Sequence, residues 1–149
     1  MATYLQNKKA RFDYEILESF EAGIVLSGSE VKSIRGKHGK LEGGHVTIRG
    51  GEAFLIGVDI PPFQPVNTPK EYDPARNRKL LLSKKEIAKL GGSESQKGLT
   101  IIPLAMYNKN RKIKVEIAVA RGKKKYDKRE TLKKRTTDRE VRREIKERR

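Results

Sequence analysis

Lys112-Ile113-Lys114-Val115-Glu116-Ile117-Ala118-Val119-Ala120 is the stretch that decides the fold. Ile113, Val115, Ile117 and Val119 point to one side, while Lys112, Lys114 and Glu116 point to the other. That two-residue period is a strand with one buried face. Thr100 to Tyr107 precedes it as a second apolar run, and Asn108-Lys109-Asn110-Arg111 between them marks a hairpin. Further towards the amino terminus, Val46-Thr47-Ile48 and Phe54-Leu55-Ile56-Gly57-Val58 flank Arg49-Gly50-Gly51-Glu52, a second hairpin signal. Tyr14, Ile16 and Phe20 follow an imperfect two-residue period interrupted at Glu18. After Gly23, Ile24-Val25-Leu26 reads as a buried continuation, with Ala22-Gly23 as a bulge or corner.

Two helices announce their starts. Ser27 stands three before Glu30, and Ser83 three before Glu86, the spacing at which serine and glutamate satisfy each other's orphan amides. The first helix turns Val31 and Ile34 inward and stops at Gly36. The second buries Ile87 and Leu90 and is expected to end at Gly91-Gly92. Pro61 to Pro74 is a long irregular connection holding five of the six prolines, and Ser93 to Gly98 reads as a mobile polar loop. Five or six antiparallel strands with short helices predict a mainly β fold. The expected form is an OB-like Greek-key barrel of about six strands, whose closure removes exposed edges.

The 149 residues give room for one domain and a tail. The expected division is a barrel over 1–121 and a basic tail over 122–149. There is no cysteine, so disulfides and zinc-thiolate sites are excluded. The amino terminus lacks a signal-like apolar core, and the densest apolar run, Ile101 to Tyr107, contains a proline and is too short for a span. A soluble intracellular protein is expected. Thirty-five Lys and Arg against nineteen Asp and Glu give +16, of which +9 falls in the last 29 residues. Such a chain draws polyanions. Nucleic acid is preferred to a membrane surface, because the tail offers only Leu132, Val141 and Ile145 as an apolar face. With 21 of those 29 residues charged, the tail is expected to be disordered alone yet capable of helix on a polyanion.

A catalytic constellation is missing from the sequence. His38 and His45 have neither cysteine nor a paired acid at ligand spacing, no phosphate-cradling loop occurs, and no metal or other cofactor is expected. Glu30-Val31-Lys32 imitates the edge of a metal-dependent nuclease, with Asp13 or Asp59 as a further carboxylate. The capping role explains Glu30 without that chemistry, so no enzyme is expected. Three cationic clusters suggest a phosphate-binding surface instead: Lys8-Lys9 with Arg11, Arg76-Asn77-Arg78-Lys79, and Gly122-Lys123-Lys124-Lys125-Tyr126-Asp127-Lys128-Arg129. Tyr126 among lysines suits either packing against the barrel or base stacking, and Asp127 suits orienting Arg129 or accepting from a base or ribose hydroxyl.

Glu21-Ala22-Gly23-Ile24 followed by Gly28-Ser29-Glu30-Val31-Lys32-Ser33-Ile34-Arg35 resembles the opening signature of the small protein B family, the SsrA-binding proteins of bacteria. Asp73-Pro74-Ala75-Arg76-Asn77-Arg78-Lys79-Leu80-Leu81-Leu82 and the run from Gly122 to Glu130 resemble its later signatures, in the same order and spacing from about Asn7 onward. The resemblance implies an OB-like barrel with short helices and a basic tail that becomes helical on the ribosome. It implies an adaptor of trans-translation that binds the tRNA-like part of transfer-messenger RNA and brings it to ribosomes stalled on messages without a stop codon. Glu21 and Leu81 match positions implicated in that RNA contact, with Lys8, Lys9, Arg11, Lys32, Arg35, Arg76, Arg78 and Lys79 expected around them. Gly122, Lys123, Lys124, Lys125, Tyr126, Asp127, Lys128, Arg129, Lys133, Lys134, Arg135 and Ile145 are expected at the decoding centre and the empty messenger channel. The implied partners are transfer-messenger RNA, small-subunit rRNA and the 70S ribosome. Elongation factor Tu and alanyl-tRNA synthetase are implied indirectly through the RNA. The implied protein is a cytoplasmic monomer binding one RNA, without a membrane.

Three stretches depart from the family pattern: Ser83, Glu42-Gly43-Gly44-His45 and Glu71-Tyr72. Read from the residues alone, three rivals stay open: a general single-stranded RNA-binding or ribosomal OB-fold protein, the metal-dependent nuclease, and a membrane-surface module.

Overall fold

The computed structural model describes residues 2–64, 66, 69 and 71–123. Ten elements follow in order: β1 (Thr3–Gln6), α1 (Ala10–Asp13), β2 (Tyr14–Ile24), α2 (Gly28–Arg35), β3 (His45–Arg49), β4 (Glu52–Ile56), β5 (Arg78–Leu81), α3 (Lys84–Glu94), β6 (Leu99–Lys109) and β7 (Lys112–Gly122). The strands form one antiparallel sheet in the order β1-β6-β7-β2-β5-β4-β3. The expected architecture is therefore present with seven strands in place of about six, β1 being the addition.

The sheet curls until Cα atoms of β3 and β6 come within 8 Å. Edge strand β3 is protected from beside: the Glu94 carboxylate at the end of α3 accepts from the Ile48 amide at 3.2 Å. A ladder amide that would otherwise face solvent is thereby satisfied. Curvature comes from bulges, each an extra residue that bends its strand. One falls between Ile16 and Glu18, so Leu17 is left exposed, and another lies between Pro103 and Ala105. The bulge is thus at Leu17, and of the two forms expected at Ala22-Gly23, bulge or corner, the bulge is absent. Gly23 is instead where β2 is shared between Lys114 of β7 and Leu81 of β5.

Both hairpins close through two-residue turns in left-handed backbone, Gly50-Gly51 (φ 58 and 74) and Asn110-Arg111 (φ 53 and 64). That hand matches the twist of the flanking strands. Ile113, Val115, Ile117 and Val119 enter the main core with Leu41, Leu55, Leu80 and Leu90. Ala118 and Ala120 face the other way and are buried too, beneath Ala10 of α1 with Ile102 and Leu104. The deciding strand therefore has a second buried patch at its far end. Val25 is 47% exposed, so the continuation beyond Gly23 is not buried throughout.

Both expected capping boxes are formed, Ser27 with Glu30 and Ser83 with Glu86, and Gly36 caps α2. Helix α3 does not stop at Gly91-Gly92. It runs to Glu94, held by buried Leu90 and the Glu94–Ile48 bond, so Ser93 and Glu94 belong to the helix and not to a loop. Tertiary contacts here outweigh the roughly 1 kcal/mol that each glycine costs a helix. Helix α1, one turn starting from Lys9, was not signalled by any cap in the sequence. Among the described residues no helix is long and apolar enough to cross a membrane.

Candidate nucleic-acid interface

Strand alternation builds the site. Leu80, Ala22, Val115 and Met106 point into the core, so their neighbours Leu81, Gly23, Lys114 and Tyr107 share the outer face. Register then puts those four in one row across β5, β2, β7 and β6: Leu81 pairs with Gly23, Gly23 with Lys114, and Lys114 with Tyr107. Leu81 is 54% exposed, although flanked by buried chain. Gly23 has no side chain to separate its neighbours. A Cβ there would lie 3.2 Å from Leu81 Cβ and 3.6 Å from Lys114 Nζ.

Glu21 stands two residues along β2 on the same face. The Tyr107 hydroxyl donates to its Oε2 at 2.5 Å, and Lys109 Nζ donates to both carboxylate oxygens at 3.1 and 3.2 Å. The bond from Tyr107, then that from Lys109, holds the Glu21 carboxyl below its ordinary value of 4.5. Burial, then the same bond to Glu21, pushes the Tyr107 phenol well above its ordinary 10.0. Glu21 is thus a fixed anion inside a cationic surface.

Beside Leu81 lies an open groove of about 310 Å³. Its floor is Ile24, Leu26 and Val31, and its rim carries Arg35, Arg111 and Lys112. Arg35 Nη2 donates to the Arg111 carbonyl at 3.4 Å, fixing the end of α2 against the β6–β7 turn. On the same helix Lys32 Nζ sits 5.8 Å from the centre of the Phe63 ring. Lys79 is exposed and paired with Glu52 at 3.2 Å.

The expected Arg76–Lys79 cluster is divided by the strand. Arg78 alternates inward with Leu80 and has no exposed surface, so it cannot present charge to an RNA. Its guanidinium donates to Glu30 Oε2 at 2.7 Å, to the Val58 carbonyl at 2.9 Å and to the Pro74 carbonyl at 2.9 Å. Glu30 is equally buried and also takes Arg76 through Nε, at 3.0 Å, and through Nη2. Burial opposes the ionisation of Glu30, but bonds from Arg76, the Ser27 amide and Arg78 outweigh it and hold the carboxyl below 4.5. Both oxygens of Glu30 are committed to arginine and to the cap, which leaves nothing to bind a catalytic metal. Arg76 remains partly exposed at the edge of this knot.

Lys8, Lys9 and Arg11 are exposed but stand elsewhere. They flank the start of α1, next to Tyr14, which is nine residues along β2 from Gly23, or ~30 Å at about 3.3 Å per residue. The structure groups them with the end of β7. There Gly122 pairs with Tyr14, the Lys123 amide donates to the Asp13 carbonyl at 2.8 Å, and Lys123 Nζ donates to the Arg11 carbonyl at 2.8 Å. Lys124, Lys125, Tyr126, Asp127, Lys128, Arg129, Lys133, Lys134, Arg135 and Ile145 lie outside the described residues. Lys114, Tyr107, Lys109 and Arg111 were missed in the sequence. The outward positions of the deciding strand pointed to Lys114, but only its register with β2 brings it to Leu81.

Residues 4–147 match the family described as SmpB protein. A relative named SsrA-binding protein from Thermosynechococcus vestitus is 52% identical over 143 residues, covering 96% of this chain and 94% of its own. One of the same name from Gloeothece citriformis is 54% identical over 140 residues, covering 94% and 90%. A solved chain described by the words "tmRNA-SmpB: a journey to the center of the bacterial ribosome" superposes with a TM-score of 0.70 at 45% identity, over 83% of this chain and 87% of that one. With the fold, the signatures and nearly the whole length in agreement, the chain belongs to the SmpB protein family.

Proposed function

We propose that this protein is an RNA-binding adaptor of trans-translation. It binds the tRNA-like domain of transfer-messenger RNA and delivers it to ribosomes stalled on messages that lack a stop codon. The observation that carries this reading is the family match over residues 4–147, which includes the barrel and nearly all of the basic tail. The row Leu81, Lys114 and Tyr107 supports it, since an exposed apolar side chain beside cations suits a ribose–phosphate surface with unstacked bases. Glu21 contributes by fixing Tyr107 and Lys109 and by offering its remaining lone pairs to base or ribose donors. Arg35, Lys32 and Lys79 surround the row, and Arg76 borders it.

The barrel up to Gly122 is the RNA-holding unit, and the tail beyond it is the ribosomal unit. The cations from Lys123 to Arg135 meet small-subunit rRNA, and Tyr126 stacks near the decoding bases. An intact message would occupy the same channel, so the tail selects ribosomes that have run out of message. Lys8, Lys9 and Arg11, beside the tail exit, act with the tail. The protein works in the bacterial cytoplasm as a monomer on one RNA, without catalysing a reaction. It meets elongation factor Tu and alanyl-tRNA synthetase only through the RNA.

Native purification with sequencing of the bound RNA tests the reading. One dominant RNA with a tRNA-like end and a short internal reading frame is the expected result. A broad sample of messages and rRNA fragments would reduce the protein to a general polyanion binder.

A further inference from the structure

Lys123 is half-buried, although it carries a charge and follows two exposed residues, Arg121 and Gly122. Two bonds hold it there. Its amide donates to the Asp13 carbonyl at 2.8 Å, and its Nζ donates to the Arg11 carbonyl at 2.8 Å. Both acceptors belong to α1, and the last carbonyls of a helix have no partner within it. Main chain and side chain of one residue therefore close the same helix end, where the helix dipole also favours a cation.

Helix α1 is itself anchored. Buried Ala10 packs with Ala118 and Ala120 of β7, the strand that delivers Lys123. The register agrees, since Tyr14 pairs with Gly122 and Asp13 stands opposite Lys123 one step further along. Gly122 adds no restraint by packing: a Cβ there meets nothing within 4 Å, and glycine leaves the backbone free to turn. The direction of the chain beyond Gly122 is thus set by what Lys123 holds.

We propose that Lys123 and the end of α1 form a latch that fixes the direction in which the tail leaves the barrel, making Lys123 a positioning residue for entry of the tail into the ribosome. The proposal rests on the reading above of the tail as the ribosomal unit. A fixed exit narrows the search of the tail for its channel once the barrel has been delivered, the gain that preorganisation brings to a tethered binder. An ammonium has three protons, so holding Arg11 does not preclude a phosphate contact by the same side chain.

The chain has no cysteine, so a single engineered disulfide can replace the latch without its charge. Facing residues of an antiparallel ladder lie ~4.5–5.5 Å apart at Cα, within the span that a disulfide bridges. The test measures ribosome rescue by the full-length protein with transfer-messenger RNA for Lys123→Met, Lys123→Arg and the double variant Asp13→Cys with Lys123→Cys, reduced and oxidised. Lys123→Met should lower the rescue rate at limiting protein about tenfold, as for one lost charge-assisted hydrogen bond. Lys123→Arg should recover most of that loss. The double variant should be as poor as Lys123→Met when reduced and close to wild type when oxidised, because the bridge restores direction and not charge. Its affinity for the tRNA-like RNA should be equal in both redox states, and a fall on reduction would make Lys123 a stabiliser of the barrel and overturn the positioning role. An oxidised form as poor as the reduced one would overturn the latch and leave Lys123 a phosphate contact only. Free thiols that persist under oxidant would show that Asp13 and Lys123 do not meet, and would overturn it as well, as would wild-type rescue in Lys123→Met. If the wild type rescued no stalled ribosomes, the reading of the tail itself would fail, whereas normal wild-type rescue with any of these contrary results removes the latch alone.

Discussion

Tyr107 donates its hydroxyl to Glu21 Oε2 at 2.5 Å, spanning β7 between the strands that carry them. An acid on a cationic face is thereby turned into a brace, since Lys109 is held by the same carboxylate.

The brace has two titration signatures. Glu21 is depressed below 4.5, so its contribution to stability is complete above that value and is lost as pH falls through the lower folded value. Tyr107 is raised above 10.0, so its contribution is complete below pH 10 and is lost as pH rises through the higher folded value. In an absorbance titration Tyr107 should ionise well above pH 10, and Tyr107→Phe should remove that step. In the same variant, carboxyl NMR should find Glu21 moved back towards 4.5. An unmoved Glu21 would mean that the hydroxyl does not hold it.

Glu30 is predicted to matter for stability and not for chemistry. Glu30→Gln leaves Arg78 buried with its charge unanswered, and breaking a buried pair in this way costs about 3–5 kcal/mol. Ser27→Ala removes only the reciprocal cap, about 1 kcal/mol. Urea unfolding should separate the two by at least a kilocalorie or so on these scales. Equal losses would show that the arginine knot is not what Glu30 holds. Divalent-metal-dependent RNA cleavage that vanished with Glu30→Gln would instead revive the nuclease reading.

Gly92→Ala should stabilise the protein by up to about 1 kcal/mol. Gly92 is exposed within α3 and a Cβ there meets nothing within 4 Å. Gly91→Ala should follow, because its Cβ would rest 3.8 Å from Ile48 Cγ2, an ordinary contact. A lower Tm in Gly92→Ala would mean that α3 ends where the glycines first suggested.

The boundary between barrel and tail can be cut. Gly122 completes the pairing of β7 with Tyr14, and Lys123 makes two bonds to the end of α1. Truncation after Lys123 should therefore keep the melting temperature and the affinity for tRNA-like RNA while abolishing ribosome rescue. Truncation after Arg121 should lower the melting temperature, because it removes the last β7 residue and both α1 bonds. If the longer truncate lost RNA binding as well, barrel and tail would not divide the work.

Hairpins declared themselves through period-two patterns around turn residues, and both capping boxes through serine and glutamate three apart, since each signal lies within a few neighbouring residues. Gly91-Gly92 misled because Leu90 and Glu94 reach distant β3 and the core, beyond what a local propensity can register. Strand β1 and helix α1 are short and depend on β6 and β7 for burial. The inward place of Arg78 is encoded in its alternation with Leu80, a signal that the run of basic residues around it masks. The row of Leu81, Gly23, Lys114 and Tyr107 draws on four strands, and only their register assembles it.

The most direct test of the central claim is the affinity of the protein for the tRNA-like domain of transfer-messenger RNA against that for an unstructured RNA of equal length, at salt high enough to suppress general polyanion binding. The account predicts a clear preference for the folded domain that Leu81→Ala and Lys114→Ala reduce and tail truncation does not. Equal affinities with the same salt slope, indifferent to Leu81 and Lys114, would contradict it.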